Sequence, residues 1–255
     1  MTSRKQQLKR TLIVALLAAP VAAAASDIVP DSLPFRVGEN LGYRVRSTRF
    51  GQIGRASMRI DGAEDVRGRP AIRLSFDFSG RFLLARVQAH TRSWIDPSGM
   101  MTYRYSKQES SPLASHHEAV EIFPAERRWL PAGGAEGESP TDEPLDELSF
   151  LYFIRTLPLD DGAVYAFDRH FDPARNPVHV RVIGRPVVTV PAGQFNTIEV
   201  EMRVKPVRRL GGSGVLTMYL TDDARRIPVR IETSMPLAGT MVLDLEQAEG
   251  TRQLQ

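Results

Sequence analysis

The five histidines are the side chains of this sequence with the widest chemical scope, because imidazole binds metals and exchanges protons near neutral pH. They are His90, His116, His117, His170 and His179. A zinc site needs three or four convergent ligands, but His116 and His117 are adjacent in a predicted strand and point to opposite faces. His170 and Asp172 supply only two ligands. The sequence therefore predicts no metal site and no cofactor.

Serine and carboxylate side chains are the remaining candidates for catalysis. The chain has no Gly-x-Ser-x-Gly elbow, no His-Glu-x-x-His and no phosphate-binding glycine loop. Its paired carboxylates, Glu199/Glu201 and Asp222/Asp223, fall on a predicted solvated strand face and in a turn, where such pairs are common. Without a perturbed environment they are weak acid–base candidates. The sequence names no catalytic residue and favours a protein that is not an enzyme, while leaving that question open.

The elements that must position any site are mostly strands, because the dominant hydrophobic period is two. In residues 198–205, Ile198, Val200 and Met202 alternate with charged side chains. One apolar and one polar face suit an antiparallel sheet with one solvated side. About a dozen strands are predicted, separated by turns such as Asp61-Gly62: 42–50, 55–61, 72–78, 86–95, 101–109, 116–123, 163–171, 178–183, 198–205, 215–220, 227–233 and 241–246.

A single helix is predicted over residues 145–157. Pro144 suits the first helical position, Asp146 and Glu147 lie in the first turn, where the helix dipole favours acids, and Pro158 ends the helix. Apolar side chains cover most of its circumference, which indicates an enclosed helix that fills the core or plugs an opening.

The first 25 residues have the composition of a secretory signal: a basic start, an apolar stretch of about nine residues and an Ala-x-Ala end. We expect cleavage after Ala25 and delivery to the periplasm, with no transmembrane span in the mature chain. An uncleaved N-terminal anchor is the alternative, although the apolar stretch is shorter than a membrane span requires.

The remaining chain is predicted to form one domain. Residues 26–34 read as an extended segment, 35–249 as a single β-rich domain, and 131–144 as a mobile loop within it, because that loop has almost no large apolar side chain. The leader holds four of the 33 basic side chains and none of the 30 acidic ones, so 29 basic and 30 acidic side chains remain. This balance argues against a nucleic-acid-binding protein.

The amount of apolar strand surface exceeds what one helix can cover, so the sheet must cover itself. We expect a single antiparallel curled sheet, either a barrel or a half-barrel, with a two-layer sandwich as the alternative. The interior of a curled sheet is filled by side chains or encloses a ligand. The candidate ligand-binding residues are large apolar side chains from the strands and the helix: Phe76, Phe78, Trp94, Leu148, Tyr152 and Tyr219.

Three phrases of the sequence are recognisable. They are Val-Gly-Glu-Asn-Leu-Gly-Tyr at 37–43, Val-Thr-Val-Pro-Ala-Gly-Gln-Phe at 188–195, and a segment beginning Met-Tyr-Leu-Thr-Asp-Asp at 218. Together with the helix they resemble the domain of unknown function 3108 family of exported Gram-negative bacterial proteins over residues 35–249. The resemblance implies an envelope location and a β-rich fold, and it brings no activity. Two of these phrases are predicted to form a tight turn at 191–193 and a connection between two strands at 222–226. The structural motif residues are Pro191, Gly193, Phe195, Asp222, Asp223, Arg226 and Pro228.

Three functions follow in order of preference. The first is a non-catalytic periplasmic binding or carrier protein for an apolar or lipid-like envelope molecule, an outline similar to that of the periplasmic lipoprotein carriers. The second is an envelope assembly or scaffold factor that contacts an envelope protein partner through its strand edges or the 131–144 loop. The third is a cell-wall or polysaccharide hydrolase, which requires two carboxyl groups facing each other across a cleft.

Overall fold

The computed structural model describes residues 29–82, 85–112, 114–205, 214–235 and 239–251. The predicted leader, its cleavage site after Ala25 and most of the glycine cluster at 211–214 lie outside the described residues. No helix in the described part of the chain has the length and apolar character needed to cross a membrane.

The fold is mainly β, as predicted, with one α-helix, α1 (Glu147–Ile154). Its fifteen strands are β1 (Asn40–Ser47), β2 (Gly51–Val66), β3 (Arg69–Phe82), β4 (Ala85–Asp96), β5 (Met101–Ser111), β6 (Ala114–Phe123), β7 (Arg128–Pro131), β8 (Gly137–Glu138), β9 (Val164–Phe167), β10 (Val178–Gly184), β11 (Val187–Val190), β12 (Gly193–Arg203), β13 (Val215–Thr221), β14 (Pro228–Met235) and β15 (Gly239–Glu249).

All strands belong to one antiparallel sheet in the order β8-β7-β6-β5-β4-β3-β2-β1-β15-β14-β13-β12-β10-β9, with β11 paired to β12. Strands that follow one another in the chain are mostly hairpin neighbours, and β1 joins the two runs by pairing with β15. The described strands leave β8 and β9 as the two edges, so the sheet does not close into a barrel.

The sheet curls around α1. Asp146, which caps the helix, accepts a hydrogen bond from Ser93 of β4, and Phe153 of the helix meets Phe167 of β9 with 5.1 Å between ring centroids. An eight-residue helix is only about 12 Å long. In a flat sheet, β4 and β9 would be about 43 Å apart, because neighbouring strands are about 4.8 Å apart. The predicted curled sheet with a helix in its concavity is confirmed.

The helix is shorter than the predicted 145–157. Asp146 has an extended backbone and its carboxylate accepts from the backbone N–H groups of Leu148 and Ser149, in a capping box with Ser149. Because this cap fixes the start, Leu145 remains outside the helix and bridges to His170. The helix ends at Ile154, where Arg155 becomes its C-cap. Its apolar side chains are buried on several sides, as the composition predicted.

Both ends of α1 are attached to the sheet by buried polar groups. At the C-terminal end, Arg155 donates to both carboxylate oxygens of Glu39 (2.6 and 2.9 Å) and to the carbonyl oxygen of Arg225. Neither side chain of this ion pair is exposed to solvent. At the N-terminal end, Thr102 of β5 donates to Asp146 (2.8 Å). The helix is therefore held in one place within the curl.

Two local expectations are wrong in detail. The Asp61-Gly62 pair does not end a strand: β2 continues to Val66, and the register shifts between Ile60 and Gly62 in a bulge where Gly62 has φ of 151°. A glycine in a long strand is a frequent marker of such a bulge. Within the segment 131–144, β8 pairs with β7, and the backbone N–H of Ser139 donates to the carbonyl oxygen of Arg127. Part of that segment therefore belongs to the sheet.

Candidate functional site

The curled sheet has two ends, at which successive strands are connected, and we call them the open end and the closed end. At the open end, β1 meets β2 at Ser47 and Gly51, β3 meets β4 at Phe82 and Ala85, and β14 meets β15 at Met235 and Gly239. The junctions of β5 with β6 and of β12 with β13 lie at the same end. The closed end carries Glu39, Arg67, Asp96 and the β13–β14 turn, and both attachments of α1 lie towards it.

A groove of about 590 Å³ lies at the open end. It is lined by the ends of β2, β3 and β4: Phe50, Gln52, Ile53, Gly54, Ser79, Gly80, Arg81 and Arg86. Gly54 and Gly80 face each other across β2 and β3. A Cβ atom on Gly80 would lie 2.6 Å from the Phe78 ring, and one on Gly54 would collide with the backbone of Ser79. Glycine at both positions therefore allows the close approach that shapes the groove.

The apolar part of the groove is aromatic. The Phe50 ring, 40% exposed, stands edge-on to the Phe82 ring with 5.2 Å between centroids. Phe82 is half-buried and packs against the main core, and Ile53 is buried in that core. An exposed phenylalanine on a turn is costly to hydrate, so this pair offers apolar surface to a ligand.

The charged residues that line the groove are two arginines, with no acidic residue beside them in the lining. Arg81 of β3 and Arg86 of β4 are direct cross-strand neighbours, and like charges in that position are destabilising. Neither side chain forms a hydrogen bond or an ion pair with any residue that the structure describes. Arginines on neighbouring parts of the sheet are paired: Arg59 and Arg92 both donate to Asp77. The groove thus places the exposed Phe50 ring near two guanidinium groups that have no anionic partner among the described residues.

A second groove, of about 380 Å³, lies beside β5, β6 and the 130–134 turn. Its one acidic lining residue, Glu121, accepts hydrogen bonds from Arg67 and Arg104. Among the described lining residues, neither groove holds the two facing carboxyl groups that a glycosidase requires. No group of three or more metal-ligating side chains occurs in the described part of the chain.

A buried polar cluster lies between β5, β7 and the start of α1. Four of its polar atoms have no hydrogen-bond partner among the described residues: Tyr105 Oη, Trp129 Nε1, Glu147 Oε2 and His170 Nε2. Burial alone would raise the pKa of Glu147, but the His170 ring, whose Nε2 lies 3.9 Å from Glu147 Oε2, and the Arg175 guanidinium outweigh it and hold that pKa well below its usual range. Burial and the nearby Glu147 carboxylate raise the pKa of Tyr105 well above its usual range.

Five of the six candidate ligand-binding residues from the sequence belong to or pack against the main core: Phe76, Phe78, Leu148, Tyr152 and Tyr219. Trp94 lies in a separate cluster and donates to Glu64, and the Tyr219 hydroxyl lies 3.4 Å from Glu199. Burial, together with the nearby Glu232 and Glu199 carboxylates, raises the pKa of Tyr219 to about 12. None of the six is a lining residue of the groove at the open end.

The Pro-Ala-Gly phrase forms a turn. Val190 pairs with Gly193, which has φ of 134°, so Pro191 and Ala192 make the tight connection between β11 and β12. Phe195 pairs with Val188 and packs against the core. The backbone N–H of Ala192 donates to the carbonyl oxygen of Leu245, and this bond connects the turn to β15.

The Asp-Asp phrase connects β13 and β14. Asp223 accepts from the Thr221 hydroxyl and from Arg225; these bonds outweigh the effect of burial and lower the pKa of Asp223. Asp222 forms ion pairs with Arg185 and with Arg226, which has φ of 48°. The carbonyl oxygen of Pro228 accepts from the buried Tyr43 hydroxyl.

The sequence reasoning missed the groove residues Phe50, Ile53, Arg81 and Arg86. One signal was available: the hairpin phrase Arg-Phe-Leu-Leu-Ala-Arg at 81–86 has apolar residues between two arginines and no acid. Turns are usually built from polar residues, glycine and proline, so this composition is unusual for a hairpin tip.

Comparison with solved structures gives a likeness in fold. The chain is similar to a β-barrel-like protein of domain of unknown function DUF1849 from Brucella abortus, with TM-score 0.52 and 9% identity, covering 83% of this chain and 97% of that one. A lipoprotein candidate from Parabacteroides distasonis (TM-score 0.32, 10% identity, 88% and 99% coverage) and an exported-protein candidate with a YmcC-like fold from Bacteroides fragilis (0.30, 12%, 85% and 98%) are more distant.

No curated protein sequence matches the chain. The sequence profile described as "Protein of unknown function (DUF3108)" matches residues 42–246, from β1 through most of β15, and so spans the whole curled sheet together with α1. This agrees with the resemblance drawn from the three phrases. The chain therefore belongs to the DUF3108 family.

Proposed function

We propose that this protein binds a lipid-like envelope molecule, an amphiphile with an anionic group, in the groove at the open end. The observation that carries the proposal is the facing pair Arg81 and Arg86, which has no anionic partner among the described residues and lies beside the exposed Phe50 ring. An anionic headgroup would neutralise the two guanidinium groups through charge-assisted hydrogen bonds. The alkyl chain would cover Phe50 and Phe82.

The proposed role is non-catalytic binding or carriage in the periplasm. The composition of residues 1–25 supports export. Side chains fill the core around α1, so a ligand is better placed at the end of the sheet than in its interior. Neither groove offers a catalytic pair of carboxylates among its described lining residues.

Calorimetric titration with two single-chain amphiphiles tests the proposal. Dodecyl phosphate and dodecylphosphocholine, both below their micellar concentrations, share an alkyl chain and differ in net charge. Dodecyl phosphate should bind more tightly. The Arg81→Gln/Arg86→Gln variant should lose roughly tenfold or more of that affinity, because one charge-assisted hydrogen bond contributes about 1.5–3 kcal/mol, and should bind dodecylphosphocholine almost unchanged.

Two further variants complete this design. Phe50→Ser should weaken both amphiphiles, whereas Arg181→Gln, which removes an exposed arginine from β10 far along the sheet, should change neither. Equal loss of both amphiphiles in the double arginine variant, or no binding of dodecyl phosphate by the parent protein, contradicts the proposal.

A second candidate function, contact with an envelope protein partner, is favoured by the β9 edge. Val164 of β9 and Ile183 of the adjacent β10 are 66% and 40% exposed, and Val187 of β11, which pairs with β12, is 58% exposed. An edge strand also presents unpaired backbone groups. Native mass spectrometry of the protein from its own compartment separates the two functions: a co-purified amphiphile supports the first, and a stoichiometric protein supports the second.

A further inference from the structure

The helix α1 covers only part of the concave face of the sheet. An eight-residue helix is about 12 Å long and about 10 Å wide, whereas the 14 residues of β3 extend over about 46 Å. Leu74 of β3 and Ser93 of β4 face each other and are completely buried. Because Ser93 donates to Asp146, this is the face that carries α1. Part of the same face must extend beyond the helix.

Exposure along this face of β3 rises towards the open end. Leu74 is completely buried, whereas Phe76 and Phe78, the next two side chains with the same orientation, are partly exposed. Phe82, at the end of the strand, is partly exposed as well. Apolar side chains that point into a curled sheet are ordinarily covered, so this gradient marks where the covering by α1 ends.

The cross-strand neighbours of Phe78 are small. Phe78 lies between Ala56 of β2 and Ala89 of β4, and both Ala89 and Val87, the next residue of β4 on this face, are partly exposed. Small side chains on either side leave space next to the Phe78 ring. We call the apolar surface that continues from the end of α1 the aromatic face; its members are Phe76, Phe78, Phe82, Val87 and Ala89.

The surroundings of the aromatic face differ on its two sides. In β13, farther round the curl, Met218 is completely buried and Leu216, two residues closer to the open end, is partly exposed. On β5, by contrast, the face ends at an ion pair between Lys107 and Glu109 (2.9 Å). The apolar surface is therefore bounded by charge on its β5 side.

We propose that the alkyl chain of the anionic amphiphile lies along the aromatic face while its headgroup is held by Arg81 and Arg86, which makes the ligand a long-chain anionic lipid. This inference rests on the proposed function, because the headgroup position is the one proposed there. Phe82 joins the two surfaces: it packs against the main core, and its ring contacts Phe50 of the groove. Charge at one end and a continuous apolar surface beyond it select an occupant with an anionic head and a long chain.

A chain-length comparison by calorimetric titration tests the path of the chain. Hexyl phosphate and dodecyl phosphate, both below their micellar concentrations, share a headgroup. The affinity of the parent protein should rise about fourfold for each methylene group that is buried, so dodecyl phosphate should bind far more tightly. Equal affinity for the two phosphates would overturn the proposal, because it would leave the chain in water.

The decisive variant is Val87→Asn/Ala89→Asn, which makes the aromatic face polar without altering the groove lining. It should lose about tenfold or more of the affinity for dodecyl phosphate, since amides would be buried beneath the chain without partners, and should bind hexyl phosphate almost unchanged. The matched control is Gln88→Ala, on the opposite face of the same strand, which should change neither affinity. Unchanged binding of dodecyl phosphate by the double variant contradicts the path along the aromatic face and leaves the groove proposal intact.

A measurement on the parent protein covers the case in which the double variant does not fold. Dodecyl phosphate with a nitroxide at its chain end should broaden the methyl NMR signals of Val87 and Ala89 and spare that of Val164, which is exposed on β9. Binding with no broadening at Val87 and Ala89 overturns this inference alone. Failure of the parent to bind either phosphate contradicts the proposed function, and this inference with it.

Discussion

Charged side chains are paired with opposite charges at the closed end of the sheet, whereas two like charges face each other at the open end. At the closed end, a fully buried arginine meets a fully buried glutamate, and the turn acids accept hydrogen bonds from nearby backbone groups and arginines. At the open end, two arginines face each other without an acid among the described residues. The difference is the one that the proposed function requires: the closed end contributes to stability, and the open end leaves two cations for an anionic ligand.

The same contrast holds for apolar side chains. Around α1, Phe35 and Tyr152 stack edge to face at 5.3 Å and are almost completely buried. At the open end, Phe50 and Met235 remain more than one third exposed. Stability should therefore respond strongly to substitutions near α1 and weakly to substitutions at the open end, while ligand affinity should respond in the reverse order.

The largest stability effect is expected from Arg155→Met. The substitution removes the partner of Glu39 and leaves that carboxylate buried and unpaired. Breaking a buried ion pair from one side costs about 3–5 kcal/mol of unfolding free energy, and the helix also loses its bond to the Arg225 carbonyl. Urea denaturation at pH 7 measures the loss, which should not change the affinity for dodecyl phosphate if the variant remains folded.

The double variant Glu39→Leu/Arg155→Met is the matched control. With both charges replaced by apolar side chains, most of the lost stability should return, because the cost comes from the unpaired charge rather than from the absence of the pair. A single variant as stable as the parent would show that the helix attachment is not what holds the closed end together.

A smaller, pH-dependent effect is expected from Glu147→Gln. The pKa of Glu147 is lowered in the folded protein, so its ionised form stabilises the fold above its ordinary pKa, and that contribution is lost as the pH falls below about 5. At pH 7 the variant should lose about 1 kcal/mol, because the ion pair with Arg175 is partly exposed. Urea denaturation between pH 7 and pH 3 should give a flatter curve for the variant than for the parent.

The exposed Glu138 on β8 supplies the control. The unfolding free energy of Glu138→Gln should fall between pH 7 and pH 3 by as much as that of the parent protein. If the parent and Glu147→Gln lose stability with falling pH at the same rate, the acid sensitivity of the fold resides elsewhere.

The strands were predictable where the side-chain alternation is regular, as in Ile198, Val200 and Met202 of β12, which are all buried. The bulge at Gly62 was not, because Asp-Gly is equally suited to a turn, and only pairing with β3 keeps β2 continuous. The start of α1 depended on the choice between Pro144 and Asp146, which the buried Ser93 and Thr102 hydroxyls decide. Such tertiary contacts are absent from local sequence patterns.

The candidate site was less predictable than the fold for the same reason. Phe50 and Arg86 are 36 positions apart, and neither is unusual alone. Their proximity follows from the pairing of β2, β3 and β4 together with the close approach at Gly54 and Gly80. The aromatic side chains chosen from the sequence were selected by type, and type does not distinguish a filled core from a ligand surface.

The smallest expected effect on stability is the sharpest test of the comparison between the two ends. Arg86→Glu replaces a facing pair of like charges by a pair of opposite charges, and it should stabilise the protein by about 0.5 kcal/mol, the scale of cross-strand pairs. It should also abolish most binding of dodecyl phosphate, because the new carboxylate takes the place of the ligand anion at Arg81. Urea denaturation and calorimetric titration of one preparation measure both quantities. A substitution that improves the fold and removes the ligand would identify the arginine pair as a feature kept for binding, whereas loss of stability would mean that the pair has a structural partner and that the open end is not specialised for an anion.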